Sequence, residues 1–252
     1  MTIDRESGPA NWNRPLSQAD LPLKALFTGY LVVIGLGLMM SFAQILLTHG
    51  MADGNFGLSV DDIVFSYYGN REGSKVEAKL QGSMKLMASE QVRAEIIKFV
   101  RAGSPRADWD KRMAGVIGAS CTRCHGVVPG IPDYTKYEGF KAVAQIDEGA
   151  TIPYLTRLSH IHLFGIAFIF FFVCMIFSMT TGIHRELKAM AMAMPYVFLV
   201  TDIFSWWATK YVPSCAYLTM LAGFGYAAAS AFMITTSLYQ MWGAGRVHRA
   251  RS

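Results

Sequence analysis

The chain has 252 residues, of which 52% are hydrophobic and only 16% are charged. A soluble domain carries roughly 25% charged residues, so this composition indicates a chain that lies largely in a bilayer. The net charge of +5 does not indicate nucleic-acid binding, because residues 50–158 are nearly neutral, with 14 Lys and Arg against 13 Asp and Glu. The positive excess lies near the chain ends and in short loops, as is usual in membrane proteins.

The N-terminal part of the chain predicts a polar tail followed by a membrane anchor. Residues 1–24 contain Pro9 and Pro15 and predict a cytoplasmic tail with little structure. The apolar run from Ala25 to Leu47 is long enough, at about 1.5 Å per residue, to cross a hydrocarbon core of about 30 Å. We expect transmembrane helix 1 at 25–49, and its length and the long tail before it indicate an uncleaved signal anchor.

Three more apolar runs predict transmembrane helices at 159–183, 190–211 and 215–242, followed by a basic cytoplasmic tail at 243–252. The short flanks on one side carry eight basic residues: Arg5, Arg14, Lys24, Arg185, Lys188, Arg246, Arg249 and Arg251. The short segment on the other side carries only Lys210. Because basic flanks stay in the cytoplasm, we expect a multi-pass protein of a bacterial inner membrane with residues 50–158 in the periplasm.

The polar stretch 50–158 predicts a helical domain. Between Val76 and Val100 the apolar residues recur with helical spacing, which fits one amphipathic helix or a helical pair broken near Ala88–Ser89. Proline and glycine clusters mark loops, and no convincing set of strands is present. The predicted fold class is therefore all-α: four transmembrane helices, with a helical periplasmic c-type haem domain inserted between the first and the second.

The haem prediction depends on Cys121-Thr122-Arg123-Cys124-His125, a C-x-x-C-H motif. Two thiols three positions apart can form thioethers with both vinyl groups of one porphyrin, and the adjacent histidine then ligates the iron. A zinc site would need a second Cys/His pair, and a thioredoxin-like redox pair would need a βαβ context. Cys174 and Cys215 are isolated and do not suggest a disulfide framework. The motif predicts one covalent haem c.

With this motif the chain resembles the membrane-bound mono-haem c-type cytochromes of bacterial respiratory chains, specifically over residues 119–126 and in architecture elsewhere. The resemblance implies electron transfer at the periplasmic face, as a subunit of a respiratory complex or between quinol and a periplasmic acceptor. The alternative is a haem-binding sensor or assembly anchor without turnover. The chain departs from small soluble cytochrome c because no methionine occurs between His125 and Met175.

The sixth iron ligand is therefore predicted among a few histidines. His160 and His162 follow the motif, and two residues on a helix are rotated by about 200°, so both cannot face one ring. Either could instead be an ordinary interfacial residue. His49 with His160 or His162 could hold an additional haem b. Upstream methionines stay open as ligands: Met84, Met87 and Met113.

A second candidate site lies in the third span. Asp202, Trp206 and Lys210 are four residues apart and share a helix face. An acid inside a span is costly and is a functional candidate by default. One hypothesis is a quinol pocket in which Asp202 takes a proton and aromatic rings flank the head group. The other is a structural ion pair with interfacial tryptophans. The expected partners are membrane lipid, quinol, and a periplasmic redox protein or respiratory-complex subunits.

Overall fold

The computed structural model describes residues 14–50, 52–53, 56–129 and 131–243. The described residues are mostly helical and form no β-strand beyond one isolated bridge between Ser74 and Ile146. The all-α prediction is therefore confirmed. Most of the two predicted cytoplasmic tails, namely residues 1–13 and 244–252, lies outside the described residues.

The α-helices in chain order are α1 Leu21–Thr48, α2 Val60–Tyr67, α3 Lys75–Gln81, α4 Glu90–Arg101, α5 Arg106–Asp108, α6 Ala114–Ser120, α7 Tyr137–Ala144, α8 Ile152–Ser178, α9 Arg185–Thr209 and α10 Ala216–Trp242. Short 3-10 helices occupy Leu16–Gln18 and Pro213–Cys215, and a π-helical turn at Trp109–Met113 joins α5 to α6.

Four of these helices, α1, α8, α9 and α10, are long and apolar enough to cross a membrane. A multi-pass membrane protein is thus confirmed. Helix α8 begins at Ile152, ahead of the predicted start at 159, because Pro153 lies in the first turn, where its missing N–H leaves no hydrogen bond unmade. Helix α9 likewise begins earlier than predicted, at Arg185, with a polar first turn.

The chain divides into two compact units. We call Met1–Phe42, Arg157–Phe204 and Leu218–Ser252 the membrane unit, because it contains most of each spanning helix. We call Ala43–Thr156 with Ser205–Tyr217 the polar unit. The polar unit differs from the predicted domain at 50–158 by including the end of α9 and the connection to α10.

The membrane unit has its core where α8 and α10 meet the start of α1. The fully buried side chains there include Leu31, Phe177 and Met233. Two hydrogen bonds anchor the N-terminal part of the chain: the Leu16 amide donates to the Met179 carbonyl over 3.1 Å, and the Tyr30 hydroxyl donates to the Ile169 carbonyl over 3.1 Å. Most other side chains of α1 are exposed, as expected of a helix that faces lipid.

The polar unit is built around an aromatic cluster. Phe99 of α4, Trp109 and Phe140 of α7 pack with ring centroids 5.3 to 6.3 Å apart. The helical pair predicted between Val76 and Val100 is observed as α3 and α4, and the second helix begins after Ser89, whose hydroxyl accepts from the Val92 amide. A serine at this position satisfies an amide that the helix leaves unpaired, which explains the break.

Helix α2 and the loop before α8 are held together by a close backbone approach. Gly69 and Gly149 both have positive φ, +90° and +71°, and a Cβ atom on Gly69 would collide with the Asp147 carbonyl. The Ala150 amide donates to the Tyr67 carbonyl over 3.2 Å. These glycines therefore fix the loop that carries Glu148 beside the end of α2.

Candidate functional site

The Cys121–His125 motif forms a turn directly after α6. The Cys121 amide donates to the Ile117 carbonyl over 2.8 Å, and the His125 amide donates to the Cys121 carbonyl over 3.0 Å. This places Cys121 half-buried against the aromatic core and leaves Cys124 exposed. Both cysteines are free thiols in the structure. The motif therefore presents one shielded and one accessible sulfur.

His125 is oriented by two contacts. Its Nδ1 lies 2.9 Å from the Pro132 carbonyl oxygen, which can only accept, so Nδ1 carries a proton and donates it to that oxygen. Its ring stacks on Tyr134 with centroids 4.1 Å apart and planes 10° apart. The imidazole is thus fixed in tautomer and in plane.

Burial controls the acidity of the groups beside the motif. Burial raises the pKa of the Cys121 thiol above its usual value. Burial, and secondarily the neighbouring Cys121, raises the pKa of Tyr134 to about 12. Both groups stay protonated at neutral pH because removing water disfavours their charged forms.

The prediction of a haem cofactor is wrong, because the described residues bring no group of metal-ligating side chains together. Across the described residues, no three His, Cys, Asp or Glu side chains come together as a group that could hold a metal ion. Tyr134 stacks on one face of the His125 imidazole. The described residues therefore do not support the expectation of a covalent haem c with an additional haem b.

The other histidines make ordinary contacts. His162 Nδ1 lies 2.8 Å from the Leu158 carbonyl of its own helix, and His160 is exposed with its ring against Phe164. His49 is hydrogen-bonded through Nδ1 to the Ser66 hydroxyl at 2.8 Å. Burial, and then Lys79, lowers the pKa of His49. These partners are typical of histidines that pack into a fold.

Asp202 is a buried acid in α9. Its side chain is only 5% exposed, and it interacts electrostatically with Tyr226 of α10 within the membrane unit. Sequence periodicity identified Asp202 but not Tyr226, because spacing within one helix gives no information on the neighbouring helix. The pair combines a carboxyl group with a phenol in an apolar surrounding.

Trp206 and Lys210 lie in the polar unit and make contacts that the sequence did not predict. Trp206 is 6% exposed and stacks on Tyr67. Lys210 Nζ donates to the Glu148 carbonyl over 3.2 Å, and the Lys210 carbonyl accepts from Arg71 over 3.4 Å. Both side chains therefore connect the end of α9 to the α2 region and to the loop before α8.

Comparison with known proteins identifies the membrane-spanning part of the chain. Residues 134–248 match a protein family described as a transmembrane helical domain. The match includes α7 to α10 and begins after the Cys121–His125 motif. No curated protein and no solved structure matches this chain. The match therefore supports a membrane protein and leaves the chemistry to the site itself.

Proposed function

We propose that this chain is a multi-pass membrane subunit that transfers electrons at the periplasmic face of a bacterial inner membrane. Its donor is a membrane quinol, and its acceptor is a periplasmic redox protein or another subunit of a respiratory complex. The observation that supports this proposal best is Asp202, a carboxyl group 5% exposed within an apolar spanning helix. Such an acid is expensive in a bilayer unless it has a function or a partner.

Asp202 supplies what quinol oxidation requires from the protein. Oxidation of a quinol releases two electrons and two protons, and a carboxylate within hydrogen-bond reach of the head group accepts a proton. Trp206 follows one helical turn later in the sequence, and within the polar unit its ring is held by its stack on Tyr67. Lys210 is bound to the Glu148 carbonyl and serves to hold the end of α9.

The polar unit supplies the surface for the electron acceptor. Directly after the cysteine motif, Val127 and Val128 are 72% and 47% exposed, and Ile131 is 38% exposed. An exposed apolar patch beside a redox-capable pair of thiols fits a transient protein interface. In this proposal Cys121 and Cys124 pass two electrons to the acceptor by forming a disulfide and releasing two protons, and the two electrons from quinol, together with two protons, reduce that disulfide to the dithiol again.

The decisive experiment uses Asp202→Asn in membranes that contain the protein. The variant keeps volume and hydrogen-bonding shape but removes the proton acceptor, so quinol-driven reduction of the periplasmic acceptor should fall by roughly a hundredfold. Abundance and thermal stability should stay at the level of the unaltered protein. Thr201→Val is the matched control, because the Thr201 hydroxyl donates to the Val197 carbonyl of its own helix.

The structural hypothesis predicts the opposite pattern for Asp202→Asn. If Asp202 only stabilises the helix bundle, the variant lowers the melting temperature or the accumulated amount while the rate per protein stays unchanged. Such an unchanged rate would contradict the proposed quinol site. Lys210→Met should change the rate less than Asp202→Asn does, since Lys210 contacts the Glu148 carbonyl.

A second variant separates quinol binding from electron delivery. Cys121→Ala combined with Cys124→Ala should abolish reduction of the periplasmic acceptor while quinol still competes for its site in the membrane. The intact mass of the unaltered chain, measured in parallel, reports whether the two sulfurs are thiols, a disulfide or bonded to another group. Full acceptor reduction in the double variant would remove the motif from the electron path.

A further inference from the structure

Two buried hydroxyl groups inside the membrane unit have no hydrogen-bond partner among the described residues. Ser230 is 1% exposed and Ser237 is 0% exposed, and neither Oγ finds a donor or an acceptor. Buried polar groups in proteins are nearly always hydrogen-bonded, to protein or to ordered water. Among the described residues, the polypeptide makes no hydrogen bond to either of these two hydroxyl groups.

The two serines lie on one face of α10. Seven residues turn a helix by about 700°, within about 20° of a whole number of turns, and raise it by about 10 Å. Met233 lies between them and its sulfur is 3.8 Å from the Cys174 sulfur of α8. The Cys174 thiol in turn lies 3.5 Å from the Met192 carbonyl of α9. The serine face is thus turned towards α8 and α9.

Thr235 shows how a hydroxyl on the same helix is satisfied without water. Its Oγ1 donates to the Ala231 carbonyl over 2.7 Å, and its side chain is exposed. A hydroxyl that bonds its own helix in this way needs no further partner. Ser230 and Ser237 do not make that bond, although the same carbonyl positions exist for them. Internal water, which makes about three hydrogen bonds to buried polar groups, is the ligand that fits.

Tyr226 extends the same face towards Asp202. It lies four residues before Ser230, close to the same side of α10, and it interacts electrostatically with Asp202. The polar groups Ser237, Ser230, Tyr226 and Asp202 therefore follow one another along the interior of the membrane unit. The gap between the two serines, about 10 Å, corresponds to about three water molecules at hydrogen-bond spacing.

We propose that internal water molecules bind Ser230 and Ser237 and, with Tyr226, form a proton path that leads to Asp202. The transfer step rests on the proposed quinol chemistry. When quinol is oxidised, its two electrons pass to the periplasmic redox partner, one hydroxyl proton passes to the Asp202 carboxylate, and the other hydroxyl proton is released to water at the periplasmic surface. That proton then moves through Tyr226 and the waters, each of which accepts one proton and donates another, and it leaves at the Ser237 end.

The first test asks whether water is present and does not depend on activity. X-ray irradiation of the full-length protein in its membrane generates hydroxyl radicals from bound water, and mass spectrometry locates the oxidised side chains. Met233, which is 0% exposed, should be oxidised in the unaltered protein. It should lose most of that labelling when Ser230→Ala and Ser237→Ala are combined, and keep it in Thr235→Val. A Met233 that stays unlabelled in the unaltered protein overturns the proposal.

The second test asks whether the water carries protons. Ser230→Val combined with Ser237→Val fills the face with methyl groups, so quinol oxidation should slow by at least about tenfold, while Thr235→Val leaves it unchanged. If Met233 is labelled in the unaltered protein but the double variant oxidises quinol at an unchanged rate, the proton path is overturned. An unchanged rate of quinol oxidation in Asp202→Asn, by contrast, would contradict the quinol site. The labelling of Met233 would stay as in the unaltered protein. The two failures are therefore distinguishable.

Discussion

The indole ring of Trp206 stacks on the phenol ring of Tyr67, with centroids 5.7 Å apart and planes 12° apart. Trp206 lies in the last turn of α9, and Tyr67 ends α2, 139 positions earlier in the chain. The Tyr67 carbonyl also accepts from Ala150, so one residue contacts both the end of α9 and the loop before α8. Tyr67 therefore connects the end of α9 to the loop before α8 within the polar unit.

Removing the Tyr67 ring should destabilise the polar unit. Tyr67→Ala takes away a buried aromatic ring and its stack, which costs about 3 kcal/mol of unfolding free energy. Tyr67→Phe keeps the ring and should lie within about 1 kcal/mol of the unaltered protein. Thermal unfolding monitored by tryptophan fluorescence measures both variants. Equal melting temperatures for the two would show that the stack contributes nothing.

Glu77 should make the stability of the polar unit depend on pH. Burial acts to raise the pKa of Glu77, but hydrogen bonds from the Ser74 amide and hydroxyl and from Arg101 outweigh it and hold the pKa below its usual value. A carboxyl group whose pKa is lower in the folded than in the unfolded state stabilises the fold above the unfolded value. This stabilisation disappears as pH falls through the folded pKa.

Glu77→Gln should therefore destabilise the protein by about 1 to 2 kcal/mol at pH 7, since it removes a charged cap partner of α3. The difference from the unaltered protein should shrink as the pH falls below about 4, where the unfolded glutamate is protonated. Urea unfolding at a series of pH values measures this. The exposed Glu72 provides the control, and Glu72→Gln should show little difference at any pH. A pH-independent effect of Glu77→Gln would contradict the assignment.

The two thiols of the motif should react at different rates. Cys124 is exposed, whereas Cys121 is half-buried and burial raises its pKa, which lowers the thiolate fraction that attacks an alkylating reagent. In a background of Cys174→Ser and Cys215→Ser, iodoacetamide at pH 7.5 should label Cys124 first. Peptide mass spectrometry follows both sites, and labelling after denaturation gives the full amount. Faster labelling of Cys121 would be inconsistent with this arrangement of the turn.

The orientation of the chain can be tested by finding which segments lie on each side of the membrane. Because the basic flanks are expected in the cytoplasm, reporter fusions after His49 and Lys210 should read as periplasmic, and those after Arg185 and Arg246 as cytoplasmic. A membrane-impermeant maleimide added to intact spheroplasts should also reach Cys124. Fusions that report the inverse pattern would place the polar unit in the cytoplasm and remove the periplasmic acceptor from the proposed function.

The four spanning helices were predictable from the sequence, because an apolar run of about 20 residues is stable as a helix across a bilayer and not in water. The prediction misjudged the starts of α8 and α9, since residues such as Arg157 and Lys188 end an apolar run without ending the helix. The polar domain was predicted as helical over residues 50–158, without residues 205–217. The inclusion of residues 205–217 depends on contacts such as Lys210 with Glu148, which no local pattern encodes.

The candidate site was only partly predictable for the same reason. Helical spacing identified Asp202, but Tyr226 and the orphaned hydroxyls of Ser230 and Ser237 became visible only when the neighbouring helices were in place. The motif predicted a haem from spacing alone. The structure instead gives Cys121 a place against the core and His125 a stack on Tyr134, and the part of the chain that it describes brings no third ligand to them.

The exposed surface of α1 has a consequence for biogenesis. Along this helix only Phe27 and Leu31 are buried, and more than 100 residues separate its end from the start of α8. The ribosome therefore completes α1 and residues 49–151 before any partner helix exists. A span that is apolar on all sides is stable alone in lipid, so α1 can wait there and join the later helices by packing only its first half.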